Sequence, residues 1–155
     1  MASYIENSCF SNSFYDLSLF YIGTQKCNPK HSYSVMYSDR FLLHYVIRGK
    51  GKFMCENKIY NLSAGNAFLI GNKKGYYEAD ENEPWHYAWI NFGGDIAMDF
   101  LKKTGLSVDN PIYTSRKPDI TGESFLQMAD NVYEQNKFLM YANIFSTLGK
   151  MIEYN

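Results

Sequence analysis

Apolar and aromatic positions in the first 93 residues come in short runs, each closed by glycine or a polar cluster. The clearest run, Phe41 to Arg48, ends at Gly49-Lys50-Gly51. Lys52 to Cys55 and Ile59 to Leu62 flank the polar turn Glu56-Asn57-Lys58 and predict a hairpin. Ala67 to Ile70 follows the turn Ser63-Ala64-Gly65-Asn66. Tyr76 to Ala79 follows a loop at Gly71 to Gly75, and Trp85 to Phe92 follows an acidic turn at Asp80 to Pro84. Ser18 to Ile22 and Tyr33 to Tyr37 are weaker strand signals. Short strands separated by frequent turns predict a β-sandwich or small barrel.

Past Gly93-Gly94 the spacing turns helical. Asp95 is placed to cap a helix whose face is Ile96, Ala97, Phe100 and Leu101. Lys102 and Lys103 suit its last turn and Gly105 its stop. Asn110 to Pro118 reads as a loop. A second helix, starting near Asp119 or Thr121, carries Phe125, Met128, Ala129 and Val132 at i, i+3, i+4 and i+7. A third, from about Lys137 to the end, shows Phe138, Tyr141, Ala142, Phe145, Leu148 and Ile152 on one face, widened by Leu139, Met140, Ile144 and Met151. A helix apolar over more than half its girth needs a second partner, which can be the rest of its own domain, a second subunit or a missing domain. The reading is therefore residues 1–93 as a β-barrel and 94–155 as a helical dimerisation segment of the same structural unit. Phe125, Met128, Val132, Phe138, Tyr141, Phe145 and Leu148 are the expected homodimer contacts. The chain stops at Met151-Ile152-Glu153-Tyr154-Asn155 without a glycine or cap, as if a longer protein continued.

Composition narrows the classes. At 155 residues, 46% hydrophobic and 20% charged, the chain suits one folded unit rather than a disordered one. Fifteen basic and sixteen acidic residues give a net charge of −1, without the basic surplus of a DNA-gripping domain. Cys9, Cys27 and Cys55 are odd in number and form no C-x-x-C, which points to neither a disulfide framework nor a zinc site. No signal-peptide pattern or membrane-length apolar run occurs, so a cytoplasmic protein with no membrane partner is expected. The 14 tyrosines suit strands and suit pockets that use a flat face with a hydroxyl.

Three histidines, His31, His44 and His86, raise the question of metal chemistry. Gly65 opens a stretch like the second motif of metal-binding cupins, but Gly71, Lys73 and Tyr76 occupy its Pro, Gly and His positions. Leu42 stands where the first motif has Glu, and neither His position near Val35 to Ser38 holds His. The expected fold is thus mainly β with C-terminal α: a cupin-like double-stranded β-barrel (jelly roll) followed by two to three helices, with no metal and no cofactor. No G-x-S-x-G, P-loop or H-E-x-x-H occurs, and no catalytic residue stands out.

Four ordered segments carry a family resemblance. They are Gly23-Thr24-Gln25-Lys26-Cys27-Asn28-Pro29-Lys30-His31-Ser32-Tyr33, Asp39 through Gly51, Leu62 through Ile70, and Tyr76 through Phe92. Together, over Leu19 to Tyr113, they resemble the N-terminal ligand-binding and dimerisation domain of AraC-family transcription regulators, in the branch controlling raffinose or multiple-sugar use. The stretch Gly71-Asn72-Lys73-Lys74-Gly75 replaces that branch's Pro-rich loop, and Tyr76 stands where many relatives have His. The resemblance implies a sugar or sugar derivative as effector. It also implies a homodimer that reaches DNA only through a C-terminal helix-turn-helix domain absent from this chain.

In the arabinose-binding member of that family a Trp on the last strand stacks on the sugar and the residue two before it hydrogen-bonds to it. The matching positions are Trp89 and Tyr87, on the same strand face as Trp85 and Asn91. His31, Arg40, His44, Tyr76 and Tyr77 are further ligand-binding candidates. Two other readings stay open: a metal-free cupin enzyme acting on a sugar as isomerase or epimerase, and a structural module whose barrel is filled by its own aromatics.

Overall fold

The computed structural model describes residues 4–6, 13–14, 16–133 and 136–155; Cys9 lies outside them. Strands β1 (Tyr4–Glu6), β2 (Ser13–Phe14), β3 (Leu17–Lys26), β4 (Ser32–Val35), β5 (Phe41–Arg48), β6 (Lys50–Cys55), β7 (Lys58–Ser63), β8 (Asn66–Ile70), β9 (Gly75–Ala79) and β10 (His86–Gly93) come first. Helix α1 (Asp95–Thr104), strand β11 (Ile112–Thr114), helix α2 (Pro118–Asp130), a 3₁₀ turn (Asn131–Tyr133) and helix α3 (Lys137–Glu153) follow. One seven-stranded sheet has the order β1-β3-β10-β5-β8-β11, with β2 also on β3; a four-stranded sheet has the order β4-β9-β6-β7. All of these strand pairs are antiparallel.

Between β3 and β10 the chain changes sheet at every step except the β6–β7 hairpin, which makes the jelly roll the sequence pattern implies. One such corner shows how local chemistry sets it. Gly49 ends β5 with φ +80°, and a Cβ there would run into the backbone of Pro84, so β6 begins at once in the other sheet. The expected stop at Gly49-Lys50-Gly51 is therefore a one-residue corner. At Gly65, φ +93° closes the β7–β8 turn while the Asn66 side chain accepts from the Ser63 N–H at 3.0 Å.

The seven-stranded sheet is covered on both faces. Its inner face meets the small sheet, burying Phe53, Phe68, Trp85 and Tyr87 among others. Its outer face, with Leu43, Tyr45, Ala88, Ile90 and Phe92, carries the helices. Helix α2 lies across β3, β5 and β10, and α3 packs on α2 and α1. This accounts for the breadth of apolar surface on α3: Met140, Tyr141, Ile144, Leu148 and Met151 are all buried within one chain.

That packing changes the picture of the expected dimer contacts. Phe125, Met128, Val132, Tyr141 and Leu148 lie in the chain's own core, because α3 finds its second partner in α1 and α2. Phe145 is half-buried against the same core, and Phe138 alone of the seven is exposed, at 83%.

Three local expectations also change. Asp95 does not cap α1: Gly94 takes that position, and Asp95 sits in the first turn, where the helix dipole favours an anion. Helix α2 starts at Pro118, whose fixed φ suits a first helical residue. Residues 112–114, expected as loop, pair with the edge of β8 as β11, a tertiary contact that outweighs their weak local pattern. Asn136 caps α3, accepting from the N–H groups of Phe138 and Leu139. Carbonyls at the far end of α3 accept from Tyr113 Oη (2.9 Å to Met151 O) and Arg116 Nη2 (2.7 Å to Glu153 O). Among the described residues no helix is long and apolar enough to cross a membrane.

Candidate functional site

Strand alternation fixes what enters the barrel. On β10, Tyr87, Trp89 and Asn91 face the small sheet while Ala88, Ile90 and Phe92 face the helices. On β5, paired with β10 at His44↔Trp89, Leu42 and His44 face inward and Leu43 and Tyr45 outward. Tyr77 reaches in from β9 across the barrel.

One end of the barrel is filled by aromatic side chains. Phe68 stacks on Phe53 (4.8 Å between centroids) and on Trp85 (5.7 Å), and the Trp85 indole donates to Leu62 O at 3.3 Å. His44 lies on Phe68 at 4.7 Å, nearly parallel, and forms the boundary of this plug. Beyond it a cavity of about 400 Å³ remains, a size suited to a small molecule. The barrel is thus half plugged and half open, against the reading in which its own aromatics fill it.

The cavity's polar groups converge from several elements. The Tyr87 hydroxyl lies 3.3 Å from Gln25 Oε1, to which it donates, and 3.2 Å from His31 Nε2. Tyr21 and Gln25 come from β3, Tyr33 from β4, and Tyr37 from the segment after it. The Trp89 ring stands edge-on to Tyr87 at 5.7 Å and tilted to His44 at 5.8 Å, so the three rings form an angled aromatic wall.

Burial sets the ionisation of these groups. It pushes the His44 imidazole down to about 3, with His31 nearby adding to the effect, so the ring is neutral at pH 7. His31 is also lowered by desolvation. Burial raises the Tyr77 and Tyr87 hydroxyls well above the ordinary tyrosine range. It also lifts the Cys27 thiol to about 11, opposed in part by Tyr87, so this group is no thiolate nucleophile at neutral pH. Among the described residues no three His, Cys, Asp or Glu side chains are grouped so as to hold a metal ion.

Of the seven ligand-binding candidates the structure brings five together: His31, His44, Tyr77, Tyr87 and Trp89. It does not bring in Tyr76. Neighbours on a strand point to opposite sides, and Tyr76 Oη donates to Glu78 Oε2 at 2.6 Å on the outer face, where Glu78 also pairs with Lys52 at 3.0 Å. Arg40 stays outside the cavity as well. Its guanidinium lies 3.8 Å over the Phe20 ring and 3.2 Å from Asp39 Oδ1.

Tyr21, Gln25, Tyr33, Tyr37, Leu42 and Asn91 join the wall without having been singled out. Asn91 was legible, since it shares the β10 face with Trp89. Gln25 was not, because the polar run Gly23-Thr24-Gln25-Lys26 lacks an apolar alternation, although β3 continues through it.

Depressions of about 540 and 670 Å³ also lie outside the barrel. The first is lined by paired lysines and acids of the small sheet's outer side, and the second lies between α1 and the start of β5. Unlike these two, the barrel cavity combines side chains from both sheets with an aromatic wall.

Comparison with known proteins agrees with this architecture. Residues 21–135 match the family described as "AraC-like ligand binding domain". The Msm operon regulatory protein of Streptococcus mutans is 28% identical over 148 residues, covering 93% of this chain and 53% of that protein. The raffinose operon transcriptional regulatory protein RafR of Pediococcus pentosaceus is 30% identical over 101 residues, 62% of this chain and 36% of that one. The chain thus spans about half the length of the first relative and about a third of the second. The crystal structure of the AraC-like transcriptional activator CuxR superposes with a TM-score of 0.59 at 14% identity, over 90% of this chain and 51% of that one, which supports the fold.

Proposed function

Because the chain belongs to the AraC-like ligand-binding domain family, we propose that it is the effector-sensing part of a transcription regulator of carbohydrate use, and that the barrel cavity takes the sugar. The observation that carries this reading is the wall made by Trp89 and Tyr87. An indole face receives the C–H face of a sugar ring, and hydroxyl, amide and imidazole groups around it receive the ring's hydroxyls. The names of the relatives, regulators of the Msm and raffinose operons, support carbohydrate as the effector class. They also support a binding domain rather than an isomerase or epimerase. Titration calorimetry of the folded chain against mono- and oligosaccharides tests the proposal. Saturable binding that Trp89→Leu abolishes is the expected result, and silence across the panel, or binding indifferent to Trp89, overturns it.

Two further parts of the reading concern partners. DNA contact is assigned to sequence outside these 155 residues, which the net charge of −1 supports. Two copies are proposed to pair through the outer stripe of α3, where Phe138, Ala142 and Phe145 follow helical spacing and Phe138 is 83% exposed. A monomer mass that does not change with concentration in sedimentation would sink the pairing.

A further inference from the structure

Among the described residues, three buried side-chain nitrogen or oxygen atoms lack a hydrogen-bonding partner: Asn91 Nδ2, Asn91 Oδ1 and His44 Nδ1. Both residues line the barrel cavity. Buried polar groups in folded proteins are almost always paired, so their concentration in one cavity marks a place where something else supplies the bonds. Asn91 is 1% exposed, on β10 two residues beyond Trp89 and on the same face. Its amide offers a donor and an acceptor side by side. Two adjacent hydroxyls of a polyol match that pair, one accepting from Nδ2 and the other donating to Oδ1, once the side chains covering the amide shift to admit them. Tyr37 lies near enough for Asn91 to offset part of the rise that burial causes in its hydroxyl, yet it does not complete the amide's hydrogen bonding.

The cavity's charge is as informative as its unpaired atoms. None of the eleven residues lining it is Asp, Glu, Lys or Arg. Its two imidazoles are both displaced toward the neutral form. Arg40, from the segment leading into β5, pairs with Asp39 over the Phe20 ring and reaches the cavity's edge only at the Tyr37 ring, 5.3 Å from its guanidinium. A carboxylate or phosphate entering this space would lose its hydration and meet no cation among the side chains that line it, which is unfavourable.

We propose that the cavity selects an uncharged ligand with adjacent hydroxyls, which Asn91 grips through its amide, and rejects phosphorylated or acidic sugars. The inference rests on the reading that the barrel holds the sugar effector. It makes Asn91 a specificity-determining residue and makes the regulator responsive to neutral carbohydrate rather than to its phosphorylated product.

The test is calorimetry of the whole 155-residue chain against glucose, galactose, lactose, melibiose and raffinose. Glucose 6-phosphate, galactose 6-phosphate, glucuronate and galacturonate form the charged set. At least one neutral sugar should bind, with each charged counterpart weaker by about a hundredfold or more. Asn91→Leu should weaken the neutral sugar by about tenfold or more while the melting temperature holds or rises, because leucine removes two unpaired atoms from the interior. Should leucine prevent folding, Asn91→Ala serves instead. A charged sugar binding as well as its neutral counterpart, or an unchanged affinity in a folded Asn91 variant, overturns this inference and leaves the sugar reading intact. A folded chain that binds neither set, or binding that survives Trp89→Leu, overturns the sugar reading itself.

Discussion

The inner and outer faces of the seven-stranded sheet are built by alternate residues of the same strands, and they differ in how completely they are satisfied. His44 and Tyr45 show the contrast within one peptide unit. Tyr45 faces the helices, stacks on Phe125 at 4.7 Å and donates its hydroxyl to Pro118 O at 3.0 Å. His44 faces the cavity and has an Nδ1 without a partner. The outer face is apolar and closed by helices, and its hydroxyls are engaged. The inner face near the cavity carries aromatic rings with polar ends and the unpaired amide of Asn91. The outer side is wholly core, whereas the inner side joins a core of Phe53, Phe68 and Trp85 to the cavity proposed to take a ligand, and the two are separated by the thickness of a backbone.

The first way to sharpen that division is Phe125→Ala. Phe125 is fully buried on the outer face, and its truncation should destabilise the chain by about 3–5 kcal/mol in urea denaturation. Sugar affinity of the remaining folded fraction should stay unchanged. A second probe uses pH on the inner face. Unfolded His44 binds a proton near pH 6.5, whereas the folded chain resists protonation until about pH 3. The stability contributed by the neutral ring is complete above pH 6.5 and is lost as pH falls toward 3, with a slope approaching about 1.4 kcal/mol per pH unit. His44→Phe should take that contribution out of pH-dependent unfolding curves, leaving those of His31 and His86, which burial also lowers.

The outer face answers at the opposite end of the scale. Burial raises the Tyr45 hydroxyl to about 12, so the fold keeps it protonated where the unfolded chain ionises near 10. Its contribution is complete below pH 10 and is lost between 10 and 12. Tyr45→Phe should cost about 1 kcal/mol at neutral pH and abolish that alkaline loss. The smallest effect belongs to Tyr76, whose hydroxyl serves Glu78 outside the barrel. Tyr76→Phe should leave sugar affinity unchanged where Tyr77→Phe, one residue on, weakens it. Equal losses for the two would break the assignment of faces.

Much of this division was legible in the sequence. The alternation Tyr87, Trp89, Asn91 gives the inner face of β10 directly, and the i, i+3, i+4, i+7 spacing from Phe125 gives the buried face of α2. What stayed hidden depended on partners distant in the chain. Tyr76 and Tyr77 are equally aromatic, and only the pairing of β9 with β4 and β6 decides which one enters the barrel. The breadth of α3 left its own domain and a second chain both open as partners, because a sequence does not reveal that α1 and α2 pack against it. Arg40 offered a cation for a ligand, and only the fold sets Phe20 beneath it. Tyr21 and Gln25 lie on a strand longer than its apolar run, maintained by pairing with β10 over its whole length.

That last pairing bears on how the protein comes to exist. The cavity's walls on β3, β5 and β10 meet through contacts such as Gly23↔Trp89, which join residues far apart along the chain. Such contacts close late and slowly, after the loops between them have been ordered. A nascent chain that has not yet reached β10 has no cavity at all, and a partly folded one has no complete set of ligand contacts. On the proposed function, an effector would act on the finished barrel, slowing unfolding rather than speeding folding. A cell that holds the proposed sugar would thereby prolong the life of each domain that has already folded.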